Sequence, residues 1–139
     1  MKQNNVDPEY IIFFDGICNL CNGFIDFVIK RDKAKKIFYS SLQSDISNKY
    51  INCANTQTNS SYTTIYLYKN GKVHDKSTAI LMILKELSFG YRTLAGFFLL
   101  LPKVLRDSIY NFIARNRYRF FGKRDSCRLP NPEEKDQFL

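Results

Sequence analysis

Two cysteines, Cys18 and Cys21, stand three residues apart shortly after Asp15, in the stretch DGICNLC. Residues three apart on a helix share one face, and their Cβ atoms need only a small adjustment to reach disulfide distance. The N-terminus of a helix also offers unpaired N–H groups and a partial positive charge, both of which favour a thiolate over a thiol. This spacing predicts thiol–disulfide exchange by the two cysteines, with no metal and no cofactor.

The three residues are predicted to have different tasks. Cys18 is nearer the helix start, so we assign it the attacking thiolate, and Cys21 becomes the resolving thiol, one turn further in and more buried. Asp15 is a third candidate catalytic residue, because it could take or relay the proton of Cys21. Its negative charge would also oppose thiolate formation, and an Asp at a strand end often caps a helix or forms a turn. The sequence leaves these roles of Asp15 open.

A Cys-x-x-Cys pair has two other common uses. It can supply the first two ligands of a zinc site. Such a site needs two further ligands, and Cys53, His74 and Cys127 are available in this chain. None of these three lies in a second Cys-x-x-Cys or in a His-x-His cluster, which argues against zinc. The pair could also be two small buried hydrophobic residues. We assign no task to Cys53 and Cys127, and we expect His74 to lie on the surface.

The pair is predicted to lie between a strand and a helix. Tyr10–Phe14 is a short apolar run bounded by Pro8 and by Asp15-Gly16, which is typical of a buried strand. Apolar residues at helical spacing predict a helix over residues 18–31, and Lys36–Ser40 predicts a second strand. Strand, helix and strand in roughly 30 residues form a βαβ unit, whose two strands run parallel.

The middle of the chain contains a hairpin signal. Residues 43–61 are rich in Asn, Ser, Thr and Gln, and indicate a short helix over Ile46–Cys53 followed by a loop. Thr63–Tyr68 and Lys72–Lys76 then flank Asn70-Gly71. This arrangement predicts a β-hairpin, because both turn residues tolerate a positive φ.

The C-terminal part is predicted to be helical. Ser77 is expected to cap a helix that ends near Gly90, and Pro102 suits the first turn of another helix. Residues 129–139 are polar and broken by prolines, which predicts an extended tail. The order β-α-β-(α)-β-β-α followed by helices is that of a thioredoxin-like α/β domain. We predict one domain over residues 1–139, with a core over about 10–90, a helical extension over about 91–130 and a polar tail over 131–139.

Length and composition agree with one globular domain. The chain has 139 residues, of which 45% are hydrophobic and 24% charged, and these fractions exclude a disordered chain. Four cysteines are too few for a disulfide-stapled miniprotein. The first ten residues are polar, unlike a secretory leader, and no apolar run reaches the roughly 20 residues of a membrane-spanning helix. We therefore expect a cytoplasmic protein with reduced thiols.

The residues around the pair resemble those of a known family. Asp15-Gly-Ile-Cys18-Asn-Leu-Cys21-Asn22 is similar to the signature of the DCC (Asp-x-x-Cys-x-x-Cys) thiol-disulfide oxidoreductase-like family. The resemblance continues through Phe38–Gln43, Asn70–Val73 and Ile113–Arg119, and it covers nearly all of residues 10–130. It implies a thioredoxin-like fold and thiol–disulfide exchange, with Cys18 and Cys21 as the redox pair. The partners implied are a thiol or disulfide substrate and a redox partner that the resemblance does not identify.

One segment departs from the wider thioredoxin-like pattern. Those proteins place a cis-proline just before the first strand of the hairpin, where its backbone aligns a substrate strand opposite the cysteines. In this chain the corresponding residues 59–63 read NSSYT, without a proline. The departure argues against efficient general reduction of protein disulfides.

A run of cations and aromatics follows the predicted last helix. Cations recur within residues 115–128, between Tyr118, Phe120 and Phe121, and carry much of the net charge of +8: Arg115, Arg117, Arg119, Lys123, Arg124 and Arg128. Such a run could hold nucleic acid or another anionic partner by phosphate pairing and base stacking, which is the alternative function. No complete nucleic-acid-binding motif is present. We therefore favour a helix end whose cations complement the helix dipole and whose aromatics pack inward.

Overall fold

The fold is built around strand β1 (Tyr10–Phe14), whose five residues are all buried. β1 pairs in parallel with β2 (Ile37–Ser41) and antiparallel with β3 (Tyr66–Lys69), and β4 (Lys72–Asp75) completes a sheet of order β2-β1-β3-β4. This computed structural model describes residues 9–15, 18–42, 44–53, 65–122, 132 and 135–138, with the backbone alone at residues 48 and 51–53.

Within the described residues, five α-helices surround the sheet. They are α1 (Asn19–Arg31), α2 (Asp45–Cys53), α3 (Lys76–Lys85), α4 (Phe89–Leu99) and α5 (Lys103–Phe121), followed by a short 3₁₀ helix over Lys135–Gln137. α1 and α3 cover one face of the sheet and α2 covers the other, while α4 and α5 pack outside α3. The element order confirms the predicted thioredoxin-like α/β fold with a helical C-terminal region.

β1 is apolar throughout because both of its faces are covered. Successive side chains of a strand point to opposite faces, so Ile12 and Phe14 pack with residues of α1 and α3. Ile11 and Phe13 pack on the other side, against Leu42 and residues of α2. A strand buried on both faces reads as a continuous hydrophobic run. The five-residue run that predicted a buried strand is thereby explained.

The hairpin and the βαβ unit form where they were predicted. Asn70 and Gly71 have φ angles of 48° and 83°, as a tight turn with two left-handed residues requires. Tyr68 pairs with Val73 across this turn. β2 begins one residue later than predicted, at Ile37 instead of Lys36.

The prediction for the helices after the hairpin was wrong in its boundaries. The first begins at Lys76, with Asp75 rather than Ser77 at the N-cap, and it ends at Lys85. A separate helix, α4, starts at Phe89 and runs through Gly90, where the first helix was expected to end. Because α4 packs on α3 and its Ala95 is buried, tertiary packing outweighs the low helix propensity of glycine, a cost of about 1 kcal/mol.

The end of the chain packs on the sheet, which corrects the predicted extended tail for the residues that the structure describes there. Gln137 is buried, and its Nε2 donates to the carbonyl oxygen of Ile37 at 2.9 Å. The Phe138 ring lies 5.4 Å from that of Tyr39 and 6.4 Å from that of Phe14, between centroids. Phe138 also forms a parallel bridge with Tyr39 of β2. Because the segment is polar overall, its composition did not indicate that Gln137 and Phe138 anchor it to the sheet.

α4 and α5 leave many large apolar side chains in contact with solvent. The most exposed are Phe89, Phe97, Leu100, Val104 and Phe112, all with more than 60% of their surface accessible. Within the described ranges, the helices are too short or too polar to span a lipid bilayer.

Candidate active site

α1 begins at the cysteine pair. Cys18 is its N-cap, with extended backbone angles (φ −80°, ψ 123°), and the Cys18 Sγ accepts a hydrogen bond from the Cys21 backbone N–H at 3.5 Å. The carbonyl oxygen of Cys18 accepts the first helical bond, from the N–H of Asn22 at 3.0 Å. Both cysteines are free thiols. A sulfur in the N-cap position receives an amide hydrogen bond at the positive end of the helix, where negative charge is stabilised.

The two thiols differ in burial, in the order opposite to the prediction. Cys18 has no exposed surface, whereas Cys21 is partly exposed. Cys18 lies four positions after the last residue of β1, at the start of α1. Cys21 lies one turn along α1 and faces α5, where it lines an apolar cavity of about 230 Å³ together with Phe24 and Tyr110. Position along the helix therefore places the second thiol, not the first, beside a cavity.

Asp15 is buried and bound by two donors from α5. The Asp15 Oδ2 accepts a hydrogen bond from Arg117 Nη2 at 2.9 Å and another from the Tyr118 hydroxyl at 2.5 Å. The backbone oxygen of Asp15 accepts from the Cys18 N–H at 3.3 Å, which closes a turn before α1. The side-chain cap of α1 is Cys18, so of the roles left open for Asp15 the helix cap does not apply, whereas Asp15 does lie in a turn.

Arg117 connects this carboxylate to the cysteine pair. Its Nη1 lies 3.8 Å from the Cys21 Sγ, and its guanidinium carbon lies 4.7 Å from the centre of the Tyr118 ring. Arg117 is only 3% exposed. The sequence analysis counted Arg117 among the surface cations and gave Tyr118 no role at the site. The family resemblance of residues 113–119 contains both residues, but it did not assign either of them to the cysteine site.

Burial and neighbouring charges set the protonation of the site. Burial, with smaller contributions from Cys18 and the charge of Asp15, raises the pKa of the Cys21 thiol to about 12, and Arg117 opposes this rise. Burial also raises the pKa of Tyr118 to about 12, assisted by its hydrogen bond to Asp15. Burial lowers the pKa of Arg117, but its electrostatic interactions with Cys21, Tyr118 and Asp15 outweigh this effect, and the net direction is upward. Cys21 is therefore a thiol, and Arg117 a cation, at neutral pH.

The end of α5 is fixed to the start of α1. The Asn19 Nδ2 donates to the carbonyl oxygen of Phe121 at 2.8 Å, and the Asn19 backbone N–H donates to that of Gly122 at 3.4 Å. Gly122 has a φ of 82°, and a Cβ there would approach the Asn19 Nδ2 to 3.0 Å. A glycine is needed both for the backbone angle and for the close approach. This junction holds α5 where Arg117 reaches the cysteines.

In the part of the chain that the structure describes, the candidate zinc ligands do not lie together. No three His, Cys, Asp or Glu side chains in the described ranges are close enough to hold a metal ion. His74 lies on the outer strand β4 with its side chain partly exposed, and burial is the main cause that lowers its pKa. Cys127, the side chain of Cys53 and the proline-free segment 59–63 lie outside what the structure describes.

In the described part of the basic segment, up to residue 122, Arg119 lies in the last turn of α5 as predicted, but the aromatic side chains are not packed inward. Arg115 and Arg119 are exposed on α5, but Arg117 between them is buried. Phe120 and Phe121 are 61% and 50% exposed, so the expectation that these aromatics pack inward is wrong. The remaining cations of the segment, at positions 123, 124 and 128, are outside the described residues.

Comparison with known proteins agrees with the resemblance seen in the sequence. Residues 12–123 match the DCC1-like thiol-disulfide oxidoreductase family. The chain is 39% identical over 132 residues to the uncharacterized protein YuxK of Bacillus subtilis, with 95% of each chain covered. It is 36% identical over 123 residues to a chloroplastic DCC family protein of Arabidopsis thaliana, covering 88% of this chain and 71% of that one. No solved structure matches the chain. With the family matched over most of its length, the chain belongs to the DCC1-like thiol-disulfide oxidoreductase family.

Proposed function

We propose that this protein exchanges thiols and disulfides by cycling Cys18 and Cys21 between dithiol and disulfide. The observation that carries the proposal is the position of Cys18 as the N-cap of α1, with the Cys21 N–H donating to its sulfur. An amide hydrogen bond and the positive end of a helix both stabilise a thiolate at Cys18. The family to which the chain belongs supports the same chemistry.

The exchange proceeds in two displacements. The Cys18 thiolate attacks one sulfur of the substrate disulfide, that S–S bond breaks, and the leaving thiolate departs while a Cys18–substrate mixed disulfide forms. Cys21 then loses its proton to the departed thiolate and attacks the Cys18 sulfur, which releases the second substrate thiolate. Two electrons pass from the cysteine pair to the substrate, and a separate dithiol partner must return them.

Arg117 and Asp15 act on the second displacement. The pKa of Cys21 is raised to about 12, so its thiol must be helped to ionise before it attacks Cys18. Arg117 Nη1, 3.8 Å from the Cys21 sulfur, stabilises the thiolate as it forms. Asp15 and Tyr118 hold the guanidinium in place. We assign Arg117 and Asp15 as positioning residues, and give Asp15 this role in place of the proton relay.

Because Cys18 is buried, the protein must open before a substrate can reach the attacking sulfur. Cys18 is fully buried in the dithiol form, whereas Cys21 borders a cavity. The first turn of α1 must open before the Cys18 sulfur reaches a substrate. If this opening did not occur, Cys21 would be the sulfur that attacks, and the trapping experiment below separates the two orders.

Trapping of the mixed disulfide tests the proposal. In a background with Cys53→Ser and Cys127→Ser, the additional change Cys21→Ser is expected to leave a stable adduct on Cys18 after exposure to an aromatic disulfide. The matched variant Cys18→Ser is expected to form far less adduct, as measured by intact mass. An adduct on Cys21 alone would reverse the two roles. No adduct on either variant, with an intact fold, would remove the proposed function.

We propose the cytoplasm as the place of action. A dithiol that must be returned to its reduced state after each cycle suits a reducing compartment. Cell fractionation is the test, and recovery of the protein outside the cytosolic fraction would contradict this location.

Exposure of basic and aromatic side chains supports a second candidate, binding to an anionic partner such as single-stranded RNA. Arg115, Arg119, Phe120 and Phe121 are exposed together at the end of α5, an arrangement that suits phosphate pairing and base stacking. Arg117 cannot belong to such a surface, because it is buried against Asp15. The test is salt-dependent binding of a single-stranded RNA to the protein with Arg115→Ala and Arg119→Ala. Binding that does not change would remove this candidate.

A further inference from the structure

The cavity beside Cys21 continues along α5 into a second cavity. The first has a volume of about 230 Å³ and the second about 260 Å³. They adjoin, because both are lined by Ile80 of α3 and by Tyr110 and Ile113 of α5. We call these two adjoining spaces the α3–α5 groove. Together they reach the size of small-molecule sites in proteins, roughly 300–1,000 Å³.

One end of the α3–α5 groove carries a reactive thiol, and apolar side chains line the rest of it. Cys21 stands at one end, and Phe98 and Leu101 line the other. Ile109 and Ile113 between them are 54% and 42% exposed, so the groove is open along one side. Exposed apolar surface of this extent beside a reactive group indicates a binding site.

The polar groups along the groove are already bonded to the protein. The Tyr110 hydroxyl accepts the backbone N–H of Ile65 at 3.0 Å, and Arg117 is paired with Asp15. At the far end, Arg106 donates to the Leu101 carbonyl oxygen and to the hydroxyl of Thr78. A peptide strand in this groove would leave its own N–H and C=O groups poorly satisfied, at a cost of about 1–3 kcal/mol for each buried group. An alkyl chain has no such groups.

From these observations we infer the substrate class: a disulfide carried on an unbranched alkyl chain, with its sulfur atoms at Cys21 and the chain along the α3–α5 groove. This inference rests on the proposed function. In the reaction, the Cys18 thiolate bonds to the sulfur that carries the alkyl chain and the other substrate sulfur leaves as a thiolate. Cys21 then attacks Cys18 and releases the alkyl sulfur, so the pair supplies two electrons. Of the two protons on the product thiols, one comes from the Cys21 thiol and the other from solvent.

A chain-length series tests the inference. The reduced protein is mixed with ethyl, butyl, hexyl and octyl 2-pyridyl disulfides, each below the concentration at which it aggregates, and release of 2-thiopyridone is followed. Burial of each methylene is expected to raise the second-order rate constant about three- to fourfold until the groove is filled. Ile113→Ser is expected to flatten this dependence. Val104→Ser is the matched control, since Val104 is on the same helix, 80% exposed, and outside the groove.

A second measurement separates this inference from the proposed function. Binding of decanol, which has no sulfur, is measured by calorimetry with the same variants. Decanol binding that is weakened by Ile113→Ser and unchanged by Val104→Ser supports the groove, whatever the reactivity of the thiols. Equal rates for ethyl and octyl disulfides, without decanol binding, overturn the inference and leave the proposed function standing. Lack of reaction with every disulfide would instead overturn the proposed function.

Discussion

Arg117 and Asp15 form a buried ion pair, with 2.9 Å between Nη2 and Oδ2, although they are 102 positions apart in sequence. Their side chains are 4% and 2% exposed. Removal of both charges from water is costly, and the pair is tolerated because its geometry is close and Tyr118 adds a further hydrogen bond to the carboxylate. The pair ties α5 to the residue that follows the first strand, so α5 belongs to the cysteine site.

Loss of Arg117 is expected to destabilise the protein strongly. Arg117→Ala would leave the carboxylate of Asp15 buried without its cation, which typically costs about 3–5 kcal/mol of folding free energy. Arg115→Ala, on the exposed side of the same helix, is expected to change the free energy of unfolding by less than about 0.5 kcal/mol. Urea unfolding of both variants measures the difference. Equal stability of the two would contradict the ion pair.

Alkylation of Cys21 is expected to require high pH. With Cys53, Cys127 and Cys18 replaced by serine, the charge and hydrogen bond of Cys18 no longer raise the pKa of Cys21, but burial, the largest cause, remains. The pH at which iodoacetamide reacts half-maximally should therefore stay above the value of about 8.5 for an ordinary thiol. Adding Arg117→Gln should move it higher, because Arg117 lowers the pKa of Cys21. A midpoint at or below the ordinary value would show that burial does not control this thiol.

Stability is expected to fall in alkali between pH 10 and pH 12. Burial raises the pKa of both Tyr110 and Tyr118 to about 12 in the folded protein, from 10.0 for an unperturbed tyrosine. A raised folded pKa contributes stability that is fully present below the unfolded value and is lost as the pH rises through the folded one. Urea unfolding at about pH 8 and about pH 11 measures this loss.

Tyr110→Phe is the variant that isolates one of these groups. It removes one titrating hydroxyl, so the free energy lost between the two pH values should be smaller than in the unaltered protein. At the lower pH the variant should itself be less stable by about 1 kcal/mol, because the Ile65 N–H loses its acceptor. An identical alkaline loss in the variant would exclude Tyr110 as a contributor.

Removal of the Phe138 ring is expected to cost about 1–3 kcal/mol, less than a fully buried phenylalanine because Phe138 is only partly buried. The ring packs on Tyr39 and Phe14, and its loss exposes both. Phe120→Ala is the control, since Phe120 is 61% exposed. Thermal unfolding of the two variants should differ by several degrees. A Phe138→Ala protein as stable as the control would mean that the chain end adds nothing to the fold.

Local signals explain the parts of the fold that sequence could predict. The βαβ unit followed from the apolar run Tyr10–Phe14 and the helical spacing after Cys18, and the hairpin from Asn70-Gly71. Each of these signals acts within a few residues of the chain. Cys18 was also correctly expected at the start of α1, because a strand end and a helix start are both visible in the sequence.

Long-range packing explains what sequence could not predict. Nothing near Arg117 in the chain identifies Asp15 as its partner, and the surrounding cations made a surface patch the natural interpretation. The burial order of Cys18 and Cys21 depends on the cavity that α5 forms over α1. α4 depends on its contact with α3, which overrides the signal of Gly90.

The chain end has a consequence for solubility. In the sheet that the structure describes, β2 and β4 are the outer strands. β4 reads KVHD, and its charges discourage pairing with a strand of another molecule. β2 reads IFYSS and has no charge, but Phe138 bridges to Tyr39 along its open side. A proteolytic cut that removed the last residues would uncover an uncharged strand edge, and the protein would then be prone to aggregate through intermolecular β-pairing.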